Sequence, residues 1–273
     1  MLIKTLVENT SISQAFGNEH GLSLYIETKK HRILFDVGAS GLFLENADKM
    51  NVKISDVDFL VISHGHYDHG GGLDLFLQEN GKAKVYLHPQ AFQKCFSLRS
   101  TGESEFIGLD AGLKQNSQIV FTSDCYSIDK EIWLFSNISL KEPRPKSNQG
   151  LFTERNGQIT DDYFAHEQNL VVEEDGKILL LTGCAHNGII NILEHFYILK
   201  GRMPDCVIGG FHLSSRSSGH EDFDTIDKIA KYLMGTNSKY YTCHCTDIKP
   251  YERLKFGMGD RIDYLSTGSE ITI

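Results

Sequence analysis

The sequence predicts an α/β protein built as a four-layer αββα sandwich of two similar halves, with helices outside and two sheets inside. Two observations predict this fold. Residues 23–38 and 169–183 share one pattern: an apolar strand, a polar turn and a second apolar strand that ends in glycine. That pattern is typical of a β-hairpin. The second observation is that the segments after the first hairpin recur in the same order after the second hairpin.

Each hairpin is followed by an apolar segment with helical character, at residues 41–50 in the first half and 188–197 in the second. A buried strand comes next in each half and ends near a histidine, His66 in one half and His212 in the other. Each half then adds a helix and a further strand that again ends in a histidine. The matching order of these elements indicates two halves with one topology.

Each half is therefore expected to form a mixed sheet whose helices cover a single face. Two such sheets bury their uncovered faces against each other. Histidines at the strand ends of both halves then meet along one edge. No linker separates the halves, so we expect a single domain over residues 1–273. Residues 99–118 and 141–162 are polar and rich in Gly, Pro and Ser, which predicts long surface loops that cover the site.

Composition excludes several classes of protein. The chain has 273 residues, 40% of them hydrophobic and 23% charged, which is typical of a globular protein and not of a disordered one. The net charge of −9 argues against nucleic-acid binding through bulk positive charge. Apolar runs fall short of the about 18 residues that a membrane span needs. Six scattered cysteines without a CxxC pair favour a reduced, cytoplasmic protein.

The strongest chemical signal is the hexapeptide HGHYDH at residues 64–69, directly after an apolar run. Imidazole nitrogen suits zinc, iron, manganese or nickel, and a carboxylate broadens that range. In an extended segment His64 and His66 point the same way, so one metal ion can take both. Asp68 and His69 lie past the turn and can serve a second ion nearby. The alternative is a histidine-rich surface turn that binds no metal.

The HGHYDH motif after a buried strand, in a sandwich of two similar halves, resembles the metallo-β-lactamase superfamily. Further motifs are similar to those of its dihydropterin synthase-like branch: EHGLS (19–23), ILFDVG (33–38), EPR (142–144), TGCAHNGIIN (182–191), GGFHL (209–213) and HCT (244–246). That branch is named for an archaeal enzyme that joins a dihydropterin methyl diphosphate to a ribofuranosylaminobenzene phosphate. The resemblance implies two divalent metal ions, with zinc expected and iron or manganese as alternatives, and a small phosphorylated substrate.

The resemblance also implies the remaining metal ligands. His244 matches the last ligand histidine of the superfamily, and the alternative is a core histidine. Cys184 stands where most members carry a bridging aspartate, so either Cys184 or His186 supplies the second-site ligand in its place. His166 lies near the position of the third-motif histidine, and the alternative is a histidine on the surface.

Four residues are expected to orient the ligands or to act in catalysis. Asp36 ends an apolar strand, where an unpaired carboxylate would be costly, and the resemblance implies that it orients a ligand histidine. Asp68, besides ligating, is the candidate to orient the attacking water or to move its proton. His212 binds substrate or donates a proton, unless it is a buried histidine satisfied by backbone. His186 could contact substrate instead of binding metal.

Two cysteines flank His244 in the segment CHC. Successive side chains of a strand point to opposite faces, so Cys243 and Cys245 are expected to point away from the face that His244 presents. The segment is therefore not interpreted as a zinc knuckle.

Three classes of function fit these residues. The first is a dihydropterin synthase-like transferase that acts on a diphosphate, and the second is a hydrolase of a phosphodiester or lactone. The third, a redox or metal-binding protein, is disfavoured because diiron oxidases of this fold usually carry Glu where His66 stands. Cations in the predicted loops could hold a phosphate, with ordinary solvated charges as the alternative. They are Arg99, Lys141, Arg144 and Lys146.

Overall fold

The computed structural model describes residues 1–99, 101–215 and 218–273. Its strands are short, and most belong to two stacked sheets. Their bounds are β1 Leu2–Val7, β2 Ser23–Glu27, β3 Arg32–Phe35, β4 Phe59–Val61, β5 Lys84–Leu87, β6 Cys95–Leu98, β7 Ser104–Phe106, β8 Ile119–Phe121, β9 Cys125–Ser127, β10 Ile132–Phe135, β11 Leu151–Arg155, β12 Gln158–Asp161, β13 Asn169–Glu174, β14 Lys177–Leu181, β15 Cys206–Gly209, β16 Ser214–Ser215, β17 Gly219–His220, β18 Lys239–Thr242, β19 Ile262–Tyr264 and β20 Glu270–Thr272.

The helices follow the strands of each half in the predicted order. They are α1 Leu42–Lys49, α2 Tyr67–Gly70, α3 Leu73–Glu79, α4 Ile189–Lys200, α5 Phe223–Gly235 and α6 Ile248–Met258. Within the described ranges, none of these helices combines the length and the apolar character that crossing a bilayer requires.

The two large sheets repeat one topology. The first has the spatial order β20-β1-β2-β3-β4-β5-β8 and the second has the order β19-β18-β15-β14-β13-β10-β9. In the first half β2 and β3 form an antiparallel hairpin with Tyr25 opposite Leu34, and in the second half β13 and β14 do so with Val171 opposite Leu180. The next strand joins each hairpin in parallel. The predicted pair of similar halves is therefore confirmed.

Apolar residues fill three layers of core. Between the sheets, Phe35 of the first half and Leu179 of the second lie in one buried cluster. Phe76 of α3 packs on the outer face of the first sheet, and Phe196 of α4 packs on that of the second. Burial of each side chain of this size stabilises the folded state by about 1.5–3 kcal/mol. This packing fixes the two sheets face to face and so fixes the strand ends that carry the site.

The expectation of long surface loops at residues 99–118 and 141–162 is only partly correct. These segments contribute β7, β11 and β12, which join β6 in a small antiparallel sheet of order β12-β11-β6-β7. All residues of β7 and β12 are exposed, so these strands lack the alternation of apolar and polar residues that reveals a strand in a sequence. Ser97 of β6 and Leu151 of β11 nevertheless help to line the pocket described below.

Candidate metal centre

A first cluster of donor atoms forms where β4 ends. The Nε2 atom of His64 lies 3.1 Å from Nδ1 of His66 and 3.3 Å from Nε2 of His186. All three side chains are buried. Ligand atoms bound tetrahedrally at about 2.0–2.1 Å from a zinc ion lie about 3.3 Å from one another. The spacing of these nitrogens is therefore that of a metal-ligand set.

A second cluster adjoins the first. The Nε2 atom of His69 lies 3.1 Å from Sγ of Cys184 and 3.2 Å from Nε2 of His244. Oδ2 of Asp68 lies 3.3 Å from the same His244 nitrogen. Donor atoms of His64, His69 and Cys184 also lie within 4.8 Å of one another. The Cys184 sulfur thus stands where the two clusters meet, and the residues present fit two neighbouring ions.

Four of these imidazoles share one tautomer. In each, Nδ1 faces an oxygen and therefore carries the proton, so the lone pair of Nε2 points into the centre. The Nδ1 partners are Ser63 Oγ for His64 (2.8 Å), Asp36 Oδ2 for His69 (2.7 Å), Asn148 Oδ1 for His186 (2.8 Å) and Asn9 Oδ1 for His244 (2.9 Å).

The charge states suit metal binding. Burial, followed by the neighbouring imidazoles, lowers the pKa of His64 and of His186, and burial lowers the pKa of His66 to about 3. Burial alone would raise the pKa of Asp68, but the imidazoles around it, first among them His69, hold that pKa well below its usual range. His64, His66 and His186 are therefore neutral and Asp68 is ionised, which are the forms that bind a cation. In contrast, burial alone would lower the pKa of His69, but the neighbouring carboxylates of Asp36 and Asp68 outweigh burial and raise that pKa, so binding at that ring has to displace its proton.

Unpartnered nitrogens give an independent sign of a ligand. Both ring nitrogens of His212 are buried and have no hydrogen-bond partner among the residues that the structure describes. Such groups are rare in folded proteins. The His212 ring centroid lies 4.1 Å from that of His186, so His212 adjoins the first cluster.

Asp36 makes the contact expected of it. Its Oδ2 accepts from Nδ1 of His69 at 2.7 Å. Its Oδ1 accepts from the backbone N–H of Ser63 at 2.7 Å, and the Ser63 hydroxyl donates to Oδ2 at 2.7 Å. One buried carboxylate thus orients His69 directly and His64 through Ser63.

The backbone is strained at several of these residues. Asp36, Ala185, His212 and His244 have φ angles of 61°, 55°, 49° and 51°, in the left-handed region that side chains with a Cβ rarely adopt. Strain of this kind persists where the surroundings over-determine the conformation, and it clusters at functional sites.

Sequence reasoning missed two residues that hold His244. Oε1 of Glu8 accepts from the His244 backbone N–H and from the Tyr264 hydroxyl, both at 2.7 Å. Asn9 orients the ring, as described above. The available signal was that Glu8, like Asp36, is a carboxylate directly after an apolar strand.

Glu167 was also missed. Its buried carboxylate accepts from the backbone N–H groups of His186 (2.6 Å) and Asn187 (3.0 Å) and from the Asn187 side chain (2.8 Å). Burial raises the pKa of Glu167, although these hydrogen bonds oppose the shift. Glu167 thereby positions the turn that carries Cys184 and His186.

His166, expected among the ligands, lies behind His66. Its Nδ1 accepts from the backbone N–H of Gly65 at 3.0 Å, so its Nε2 carries the proton and donates to Oδ2 of Asp162 at 3.0 Å. Both ring nitrogens thus have partners. Donor atoms of His166, His66, Cys95 and Asp162 lie within 4.8 Å of one another in a group of their own, whereas His186 completes the first cluster with His64 and His66.

The expected direction of Cys245 is wrong. Cys243 lies in the apolar layer between the sheets, as predicted. However, β18 ends at Thr242 and the chain turns at His244–Thr246, so the alternation of a strand no longer applies. Cys245 consequently lines the same pocket as Cys184 and His244.

The cations proposed for phosphate are mostly engaged elsewhere. Arg99 lines the pocket beside His66 and is paired with Glu105. The other three have partners outside that pocket. These are Glu194 for Lys141 (2.6 Å), Asp222 for Lys146 (2.7 Å), and Asn187 Oδ1 and the Tyr163 carbonyl for Arg144 (both 3.0 Å).

The fold and the HGHYDH centre define the class of protein. Residues 17–222 match the model of the metallo-beta-lactamase superfamily, and the chain belongs to that superfamily.

Two relatives from Methanocaldococcus jannaschii are similar over most of their length. One, an uncharacterized protein, is 31% identical over 93% of each chain. The other is 7,8-dihydropterin-6-methyl-4-(beta-D-ribofuranosyl)-aminobenzene-5'-phosphate synthase, which is 29% identical over 90% of this chain and 88% of its own. The crystal structure of Tm1679, described as a metal-dependent hydrolase of the beta-lactamase superfamily, is 32% identical. It matches with a TM-score of 0.84 over 100% of this chain and 99% of its own.

Proposed function

We propose that this metal-dependent enzyme is dihydropterin synthase-like and acts on a small phosphorylated substrate, with a pterin diphosphate as the favoured candidate, at two divalent metal ions. The observation that supports the proposal most is the common tautomer of four imidazoles, whose Nε2 atoms all point into one centre. The similarity to the archaeal synthase over most of both chains favours the pterin substrate.

The proposed ligands fall into two sets, one for each metal ion. His64, His66 and His186 would hold the first ion, and Asp68, His69 and His244 would hold the second, with Cys184 between them. The sequence left Cys184 and His186 as alternatives; in this proposal both are ligands, His186 on the first ion and Cys184 between the two. Imidazole and thiolate donors favour zinc, and iron or manganese are the alternatives.

Two divalent ions would supply a clamp that polarises phosphoryl oxygens and neutralises a departing diphosphate. The protein supplies little positive charge of its own, because Arg99 is paired with Glu105 and Glu19 and Asp247 line the adjoining pocket. A phosphorylated substrate would therefore be neutralised by the ions more than by side chains.

The chain's own residues would move the protons. Asp68, whose Oδ2 also lies 3.3 Å from Nε2 of His20, can accept a proton from an attacking amine or water. His212 faces the centre with both nitrogens unpartnered and can bind the substrate or donate a proton to the leaving oxygen. Asp68 and His212, with His186 beside them, are the proposed catalytic residues.

Replacing His186 by alanine should remove one of two bound metal ions, whereas replacing His166 should leave both. The reason is that Nε2 of His186 points into the first cluster, while both nitrogens of His166 have protein partners. Elemental analysis of both variants after loading with zinc measures this. Retention of both ions by His186→Ala, or loss of one by His166→Ala, would contradict the ligand set.

A hydrolase of a phosphodiester or lactone is the second candidate, because Tm1679, with a similar fold over its full length, is described as a metal-dependent hydrolase. Two assays of the metal-replete protein decide between the candidates. One supplies a dihydropterin methyl diphosphate together with the aminobenzene riboside phosphate. The other supplies bis-p-nitrophenyl phosphate. Coupling of the first pair with release of diphosphate supports the transferase. Turnover of the diester alone would contradict the transferase and support the hydrolase.

Asp68→Asn should lower kcat at least about 100-fold in whichever assay is active, with KM changed by no more than about threefold, because a positioned base acts in the transition state. Metal content is measured in parallel, since Asp68 is also a proposed ligand. A variant with wild-type kcat and raised KM would show that Asp68 only binds substrate.

A further inference from the structure

The turn after β18 places two adjacent side chains toward one site. His244 adopts a φ of 51°, and the 3-10 turn His244–Thr246 follows. As a result Cys245 lies beside His244 instead of on the opposite face. The strained turn is held by hydrogen bonds from distant parts of the chain: Glu8 accepts the His244 N–H at 2.7 Å, and Thr246 Oγ1 accepts the Phe211 N–H at 2.8 Å.

The Cys245 sulfur reaches the second donor cluster. Its Sγ, the Sγ of Cys184 and a ring nitrogen of His244 all lie within 4.8 Å of one another. Cys245 is 7% exposed, and its thiol donates a long hydrogen bond of 3.5 Å to the Cys184 carbonyl. The Cys245 sulfur has space because residue 210 is a glycine. A Cβ at Gly210 would lie 2.4 Å from Sγ of Cys245.

A second observation points to a ligand at this place. Both nitrogens of His212 are unpartnered among the described residues, and the side chain is 6% exposed. Donor atoms of His212, Cys184 and His186 lie within 4.8 Å of one another. Buried thiols and imidazoles converge here from three separate segments.

We propose that Cys245 is a further metal ligand, a terminal sulfur on the ion that His69 and His244 hold. The proposal rests on the metal centre proposed above. With Cys184, it gives the centre two sulfur donors. Sulfur donors favour zinc, cobalt and iron(II) and disfavour magnesium and manganese, so Cys245 would make the centre selective for the softer ions.

The test loads the protein with cobalt(II) chloride and records the sulfur-to-cobalt charge-transfer band beside the bound cobalt per chain. Wild type should bind two ions and show the band. Cys245→Ser should reduce the band about twofold or lose one ion, because one of two thiolates is gone. Cys184→Ser with Cys245→Ser should abolish the band. Cys125→Ser, which removes an exposed thiol, is the matched control and should leave both readouts unchanged.

The outcomes separate the two proposals. An unchanged band and two bound ions in Cys245→Ser would overturn the role of Cys245 while the metal centre stands. Failure of the wild type to bind cobalt would overturn the metal centre itself.

If Cys245→Ser does not fold, alkylation of the wild type decides the question. Iodoacetamide is applied with and without zinc, and modified cysteines are quantified by mass spectrometry, with Cys125 as the internal reference. Zinc should slow modification of Cys245 about tenfold, because a metal-bound thiolate is protected. Equal rates with and without zinc would contradict the proposal.

Discussion

His66→Ala is expected to abolish catalysis and to weaken retention of the first metal ion by at least about 100-fold while the protein stays folded. His66 supplies one of three nitrogens of the first cluster, and its neutral ring, with a pKa of about 3, is ready to bind a cation. The residue lies on a turn outside the apolar layers, so its loss leaves the packing of the two sheets intact.

Elemental analysis, activity and far-ultraviolet circular dichroism measure the effect. His31→Ala is the matched control, because it removes a histidine that is paired with Asp129 at 2.7 Å next to β3, away from the metal cluster. It should keep full metal content. Two bound ions in His66→Ala would refute the assignment of this histidine as a ligand.

Glu167→Ala is expected to lower the free energy of unfolding by at least about 2 kcal/mol, since it leaves the buried backbone N–H groups of His186 and Asn187 without an acceptor at about 1–3 kcal/mol each. Metal content should fall as well, because the turn that positions His186 is released. Urea unfolding of the metal-free protein measures the first effect separately from the second.

Glu167→Gln is the matched variant, because it keeps the size and one oxygen acceptor. It should lie between the wild type and Glu167→Ala in stability. A Glu167→Ala protein with unchanged stability and two bound ions would show that this carboxylate does not position the site.

The fold was predictable because hydrophobic patterning repeats along the chain. Each hairpin, helix and strand of the first half has a counterpart in the second, and burial on both faces of each sheet requires that patterning. The small sheet of β6, β7, β11 and β12 was not predictable, because its exposed strands carry no such pattern.

The HGHYDH loop was predictable because its donors are close in sequence and follow a buried strand. The positions of His166 and His186 relative to this loop depend instead on contacts from distant residues. Gly65 and Asp162 occupy the nitrogens of His166, and Asn148 turns Nε2 of His186 toward the centre. Local sequence does not contain that information.

The prediction for the direction of the Cys245 side chain was wrong for the same reason. Alternation along a strand predicted that it points away, but the strand ends one residue before Cys243, and Glu8 from the other end of the chain holds the turn. The left-handed φ of His244 has no signature in the sequence, because no glycine marks the position.

The most direct test of the central claim is anomalous diffraction from crystals of the zinc-loaded protein, recorded above and below the zinc absorption edge. Two peaks about 3.5–4 Å apart are predicted, one at ligand distance from His64, His66 and His186, and the other at ligand distance from His69 and His244. A single peak, or a peak coordinated by His166 in place of His186, would contradict the account.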